Sequence, residues 1–216
     1  MAVFVLGWSA CLPDPKAEFD DYAEKTASYR QNGPRDGGDI DSAAPTEAVT
    51  GLYVGVCLSQ LAAGRLDRVL RFYAPVTFVP DASGVGGKLT IKLTPLKLGP
   101  NNTPPPSVSL DQTVGDTFAI NEAAVDAKGI YAGTIGTVNV PGVSNPISGR
   151  DIVIENTALP GRFAVEKFCS QLSGHVVQPT DIDLTPDANT CLFRAVKEGD
   201  PVPTFTNADF DPGCPL

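Results

Sequence analysis

From Gly51 onward the chain is written in period-two runs separated by Gly, Pro and Asn. In VLRFYAPVTF, Leu70, Phe72, Ala74, Val76 and Phe78 fall on one face of an extended strand, opposite Arg71, Tyr73 and Thr77. In GKLTIKLTPLKL, Leu89, Ile91 and Leu93 alternate with Lys88, Thr90, Lys92 and Thr94, and Pro95 shifts the register to Leu96 and Leu98, as at a bulge or an edge. GLYVGVC, DTFAIN, GIYAGTIGTVNV, RDIVIEN, RFAVEKFC, HVVQP and NTCLFRAV bring the total to roughly nine strands. The expected fold is all-β, an antiparallel sandwich or barrel over 51–216.

Before Gly51 the periodicity differs. Over 14–33, Asp14 and Pro15 open a helix, Phe19, Tyr22, Ala23, Thr26 and Tyr29 recur at helical spacing, and Gly33-Pro34 ends it. Residues 34–50, PRDGGDIDSAAPTEAVT, lack large apolar side chains and read as a linker. The two together form the stalk of an 11–50 segment. GPNNTPPPSV reads as a long, exposed Pro-rich loop.

Composition narrows the function classes. With 25 acidic and 16 basic residues the net charge is -9, and no window gathers Lys and Arg into a basic face, so nucleic acid is excluded as a partner. The 21 glycines and 20 prolines suit a turn-rich β protein. No apolar run reaches the roughly 18 residues of a spanning helix.

The five cysteines, Cys11, Cys57, Cys169, Cys191 and Cys214, show no zinc or redox spacing. Ala2–Ala10 is a short apolar stretch that ends in Ser9 and Ala10, the small residues a signal peptidase needs next to its cut. The segment Leu6–Cys11 resembles the lipobox of a bacterial lipoprotein precursor. That resemblance implies that 1–10 is the remnant of a signal peptide, that Cys11 is lipidated and anchors the chain in a membrane, and that Leu12 directs the protein to the outer membrane. The alternating strands and the run GRDIVIE, GRFAVEKFC, LSG resemble secreted bacterial lipoproteins of unknown function.

With Cys11 set aside, Cys57, Cys169, Cys191 and Cys214 form an even set expected to close two disulfides in an oxidising compartment. Three pairings are open. The nearness of their strands favours Cys169 with Cys191, and the proximity of chain ends favours Cys57 with Cys214.

Chemistry-bearing motifs are sparse. His175 is the single histidine, and no Gly-x-Ser-x-Gly elbow accompanies it. GVGGK, 84–88, departs from phosphate-loop spacing and reads as a hairpin turn. In TDIDLTPDANT, Asp181 and Asp183 share a strand face, with Asp187 and Asn189 in the next turn. These are calcium-type oxygen ligands without EF-hand spacing, and they read first as a solvated face. CLSQLAAG at Cys57 and CSQLSG at Cys169 echo each other without a sustained repeat.

No cofactor is expected. The functional expectation is a lipid-anchored, non-enzymatic binding module for a small-molecule, glycan or protein ligand. The alternatives are a structural or protein-interaction component of the envelope and, third, a hydrolase whose paired carboxylates include a partner such as Glu155 or Glu166.

Overall fold

The computed structural model describes residues 43–210 except 63, together with Cys214. The expected helix, most of the linker and Cys11 lie outside the described residues.

The described residues fold into twelve strands: β1 (Val49–Leu58), β2 (Leu70–Pro80), β3 (Gly87–Pro95), β4 (Phe118–Val125), β5 (Ile130–Tyr131), β6 (Thr134–Val140), β7 (Ile152–Ala158), β8 (Gly161–Arg162), β9 (Lys167–Gln171), β10 (Ser173–Gln178), β11 (Ile182–Leu184) and β12 (Thr190–Val196). A four-residue helix α1 (Asn207–Phe210) follows. Eight strands close an antiparallel barrel in the order β1-β12-β9-β8-β5-β4-β3-β2, and the other four form a sheet in the order β11-β10-β7-β6. The choice between sandwich and barrel thus falls to a barrel with a smaller sheet beside it.

The small sheet is built from two insertions. β5 and β8 pair with each other, and the hairpin β6–β7 leaves and returns between them. β9 and β12 pair with each other, and the hairpin β10–β11 does the same. The apolar side chains Val138, Val140 and Ile154 of this sheet meet Cys57, Leu70, Phe72, Leu93 and Phe118 at one end of the barrel, leaving a void of about 30 Å³. The sheet is a cap.

This topology explains why twelve strands stand where the pattern suggests about nine. GIYAGTIGTVNV alternates without a break, but β5 ends at Tyr131 and β6 begins at Thr134. The corner is Gly133, where a Cβ would stand 2.5 Å from Ile120 Cδ1 and 2.6 Å from Leu159 O. RFAVEKFC likewise divides between β8 and β9.

The barrel interior follows the alternation. Leu70, Phe72, Ala74, Val76 and Phe78 are all buried, as are Leu89, Ile91 and Leu93. Phe168 stacks on Phe193 with centroids 4.4 Å apart, and Tyr53 and Phe163 meet Phe168 edge to face. Gly55 lies opposite Phe193 in the β1–β12 register, and a Cβ there would come within 2.8 Å of the ring. The glycine makes room for the aromatic stack.

β1 reads GLYVGVC because it is buried on both faces, the signature of a strand with no solvated side. Its outward Val54 and Val56 join Val69, Leu96, Val108, Cys169, Leu192, Phe210 and Cys214 in a second apolar cluster outside the barrel wall. Two irregular segments cover that wall, the Pro-rich loop 96–113 and a carboxy-terminal strap over 198–210, with Cys214 beyond it. They are tied together by Val108 N–H to Asp200 O and Gly199 N–H to Val108 O, both backbone bonds. Glu198 accepts from the Tyr73 hydroxyl and from Leu110 N–H, each at 2.8 Å. The Pro-rich loop is exposed along Pro100–Pro104 as expected, but Val108 is fully buried.

Two expectations are corrected. The linker boundary at residue 50 is too late, because β1 starts at Val49 and Ala44 is buried with its N–H on Ala127 O. The cysteines pair as Cys57–Cys191 and Cys169–Cys214, instead of Cys169 with Cys191 and Cys57 with Cys214. Barrel closure sets β1 beside β12 with Cys57 directly opposite Cys191, and the strap carries Cys214 to the outer side of β9, where Cys169 points.

Candidate functional site

Two places gather polar chemistry. The first is the exposed face of the cap, where β10 lies between β7 and β11 and His175 stands opposite both Glu155 and Asp183. His175 Nδ1 is 2.7 Å from Asp183 Oδ1, and Nε2 is 3.0 Å from Asp181 Oδ1. The hydrogen bond that His175 donates to Asp183 raises the imidazole pKa above its ordinary value; desolvation opposes that rise, and the charges of Asp181, Asp183 and Glu155 add to it. Both ring nitrogens face carboxylates, so neither is presented to a hydroxyl nucleophile as a triad would require.

The calcium-type residues of TDIDLTPDANT end up in different roles. Asp181 and Asp183 flank His175, the imidazole standing where a cation would. Asn189 is fully buried, its amide donating to Gln60 Oε1 at 3.0 Å and Thr185 O at 2.7 Å and accepting from Gln60 N–H at 3.0 Å. It joins the β11–β12 turn to the end of β1. Asp187 lies on an exposed 3-10 turn. Among the described residues, no group of three His, Cys, Asp or Glu side chains could hold a metal ion.

The second place was not singled out by sequence. A groove of about 260 Å³ opens on the outer wall of the barrel between a 3-10 turn (Leu66–Arg68), the start of β2, Pro104 and the strap residues Val202–Phe205. Arg71 lies in it, only 8% exposed. A guanidinium carries five N–H donors. Among the described residues Arg71 makes one side-chain hydrogen bond, from Nη1 to Val69 O at 3.2 Å. Burial pushes its pKa down, and among the described residues no carboxylate opposes that shift. At neutral pH it stays charged.

Among the described residues, the one carboxylate that lines the groove is already committed. Asp67 accepts from Arg65 Nε at 3.1 Å and Nη2 at 2.6 Å, on a solvent-exposed pair. The opposite wall is fixed. Arg194 lies 4.7 Å over the Phe205 ring and donates to Thr204 O and Asp209 Oδ1. Asp209 also accepts from Thr206 N–H and its hydroxyl and from Lys167 Nζ. Burial tends to raise the Asp209 pKa, but the bonds from Thr206 and the Lys167 charge outweigh it and hold the carboxyl below the usual range. Beyond the helix, Cys214 secures the strap to Cys169.

By contrast, the void beneath the cap is apolar and about 30 Å³, and the barrel interior is filled by buried side chains such as Tyr53, Phe168 and Phe193. Compared with known proteins, the chain significantly matches no family model, no curated protein and no solved structure.

Proposed function

We propose that this chain is an exported, lipid-anchored envelope protein whose β domain is a non-enzymatic binding module. The observation that carries the export half is the complete pairing of Cys57 with Cys191 and Cys169 with Cys214, which suits an oxidising compartment and leaves Cys11 as the odd cysteine for lipidation. The outer membrane remains the favoured destination through Leu12.

The binding half rests on the groove. A buried, still-charged guanidinium in a preformed concave site is an arrangement suited to recognition, and the filled lumen directs a ligand to the outer wall. The cap cluster does not favour hydrolysis, since its histidine is held at both nitrogens.

The test is expression in a bacterium behind a complete leader, followed by intact mass and detergent partitioning. The expected product begins at Cys11, carries the added lipid mass and partitions into detergent. A water-soluble product that retains residues 1–10 would refute the anchor. Four free thiols at Cys57, Cys169, Cys191 and Cys214 would refute export to an oxidising space.

A further inference from the structure

We infer that the Arg71 groove is a binding site for a small organic monocarboxylate, its carboxylate on the guanidinium and its aliphatic or aromatic body against Val202, Pro203 and Phe205. The inference rests on the binding-module reading and names the ligand class.

Taking a guanidinium out of water is costly unless its donors and charge are satisfied. Arg71 is 8% exposed and, among the described residues, uses one donor on Val69 O, so most of its fork is unspent there. Planar forks match carboxylates in two parallel bonds. Among the described residues no carboxylate fills the role, because Asp67 is bidentate on Arg65.

Charge sets the valence of the ligand. With Asp67 offset by Arg65, the described residues of the groove leave one positive charge uncompensated, on a chain of net charge -9. A monoanion neutralises that charge, whereas a dianion such as phosphate would add negative charge to a field that already repels it.

Size and walls set the rest. A volume of about 260 Å³ is below the roughly 300 Å³ at which ordinary ligand pockets begin, so the occupant is small. Leu66, Val69, Pro104, Val202, Pro203 and Phe205 supply apolar contact around the single charge. Because Arg194, Asp209 and the Cys169–Cys214 bond hold the strap, the wall is ordered before a ligand arrives, which lowers the cost of binding.

The experiment is NMR titration of the oxidised, isotope-labelled 216-residue chain with sodium benzoate, with benzamide as the uncharged isostere and with inorganic phosphate. Benzoate is expected to give saturable shifts at Val69, Thr204, Phe205 and the Arg71 Nε–H, with benzamide and phosphate at least tenfold weaker. Arg71→Met should weaken benzoate roughly 10- to 100-fold, the range of a charge-assisted hydrogen bond. If Arg71→Met does not fold, Arg71→Lys, which keeps the charge and loses the fork, must also weaken benzoate.

Benzamide binding as tightly as benzoate overturns the carboxylate class and leaves the binding module standing. Phosphate binding more tightly than benzoate overturns the monoanion. Undiminished benzoate binding in the folded variant removes Arg71 from the site. Saturation by none of the three probes overturns the groove as a binding site, a failure separate from that of the membrane anchor, which mass and partitioning decide.

Discussion

The barrel interior and the layer laid over its outer wall are both apolar, but they are held in different ways. Inside, Tyr53, Phe168 and Phe193 belong to neighbouring strands whose ladders fix every register, and Cys57–Cys191 joins residues already opposite each other. Outside, the loop 96–113 and the strap have few ladder bonds. They depend on Glu198, Asp209 and the Cys169–Cys214 link. One disulfide reinforces an arrangement that strand pairing specifies, and the other supplies an arrangement that pairing cannot.

The largest expected effect is loss of the Cys57–Cys191 link, which closes a span of 134 residues; C57A/C191A should cost about 5 kcal/mol by loop-closure entropy, the upper end of what such bonds deliver. Denaturant unfolding should show one cooperative transition at a lower midpoint, with protection from native-state hydrogen exchange lowered across the barrel and strap together.

Loss of the Cys169–Cys214 link, spanning 45 residues, should cost about 4 kcal/mol on the same reasoning. Its signature differs. In C169A/C214A, exchange and limited proteolysis should rise in the strap before the barrel opens, and the groove should lose its wall. If both double variants behave alike, the contrast between the two regions is wrong.

Gly55→Ala probes the interior alone. The added Cβ meets Phe193 at 2.8 Å, so overpacking should cost about 1 to 3 kcal/mol, and Phe193→Leu in the same chain should recover part of it. Thermal denaturation of the single and double variants measures both numbers.

The smallest effect lies on the cap. Because Asp183 raises the His175 pKa, the protonated pair contributes stability below the unfolded value near 6.5, and that contribution disappears as pH rises through the higher folded value. NMR titration should find a His175 midpoint above 6.5, which Asp183→Asn lowers. The unfolding midpoint should hardly move, since these carboxylates are 82% and 89% exposed.

The alternation in β2 and β3 made the barrel wall legible, because each of Leu70, Phe72, Leu89 and Ile91 answers to a local period of two. Cap and barrel could not be separated that way. GIYAGTIGTVNV keeps its alternation through Gly133, and the corner there, where Gly133 O accepts from Leu159 N–H and a Cβ would strike Ile120, is set by residues distant in sequence. Disulfide pairing eluded local reading for a similar reason, since Cys57 and Cys191 meet through barrel closure.

Arg71 stands on the polar face of an alternating strand and reads as solvated. It is buried because a Pro-rich loop and a distant strap cover that face, and no local pattern encodes a cover. The His175 cluster had a signal available, Asp181 and Asp183 two apart on a strand just after a lone histidine. A three-residue β11 paired with β10 turns that spacing into a clasp.

The closure of β1 against β12 also has a consequence in time. Synthesis runs from the amino end, so β1 emerges first of the barrel strands, and it pairs early with β2 across a short connection. Its other edge waits for Thr190–Val196. Until then the nascent meander presents an unpaired, almost wholly apolar strand, the kind of edge on which chains associate. Closing the barrel therefore requires a late, long-range pairing, and a chain that stops before Thr190 leaves that edge of β1 without its partner strand.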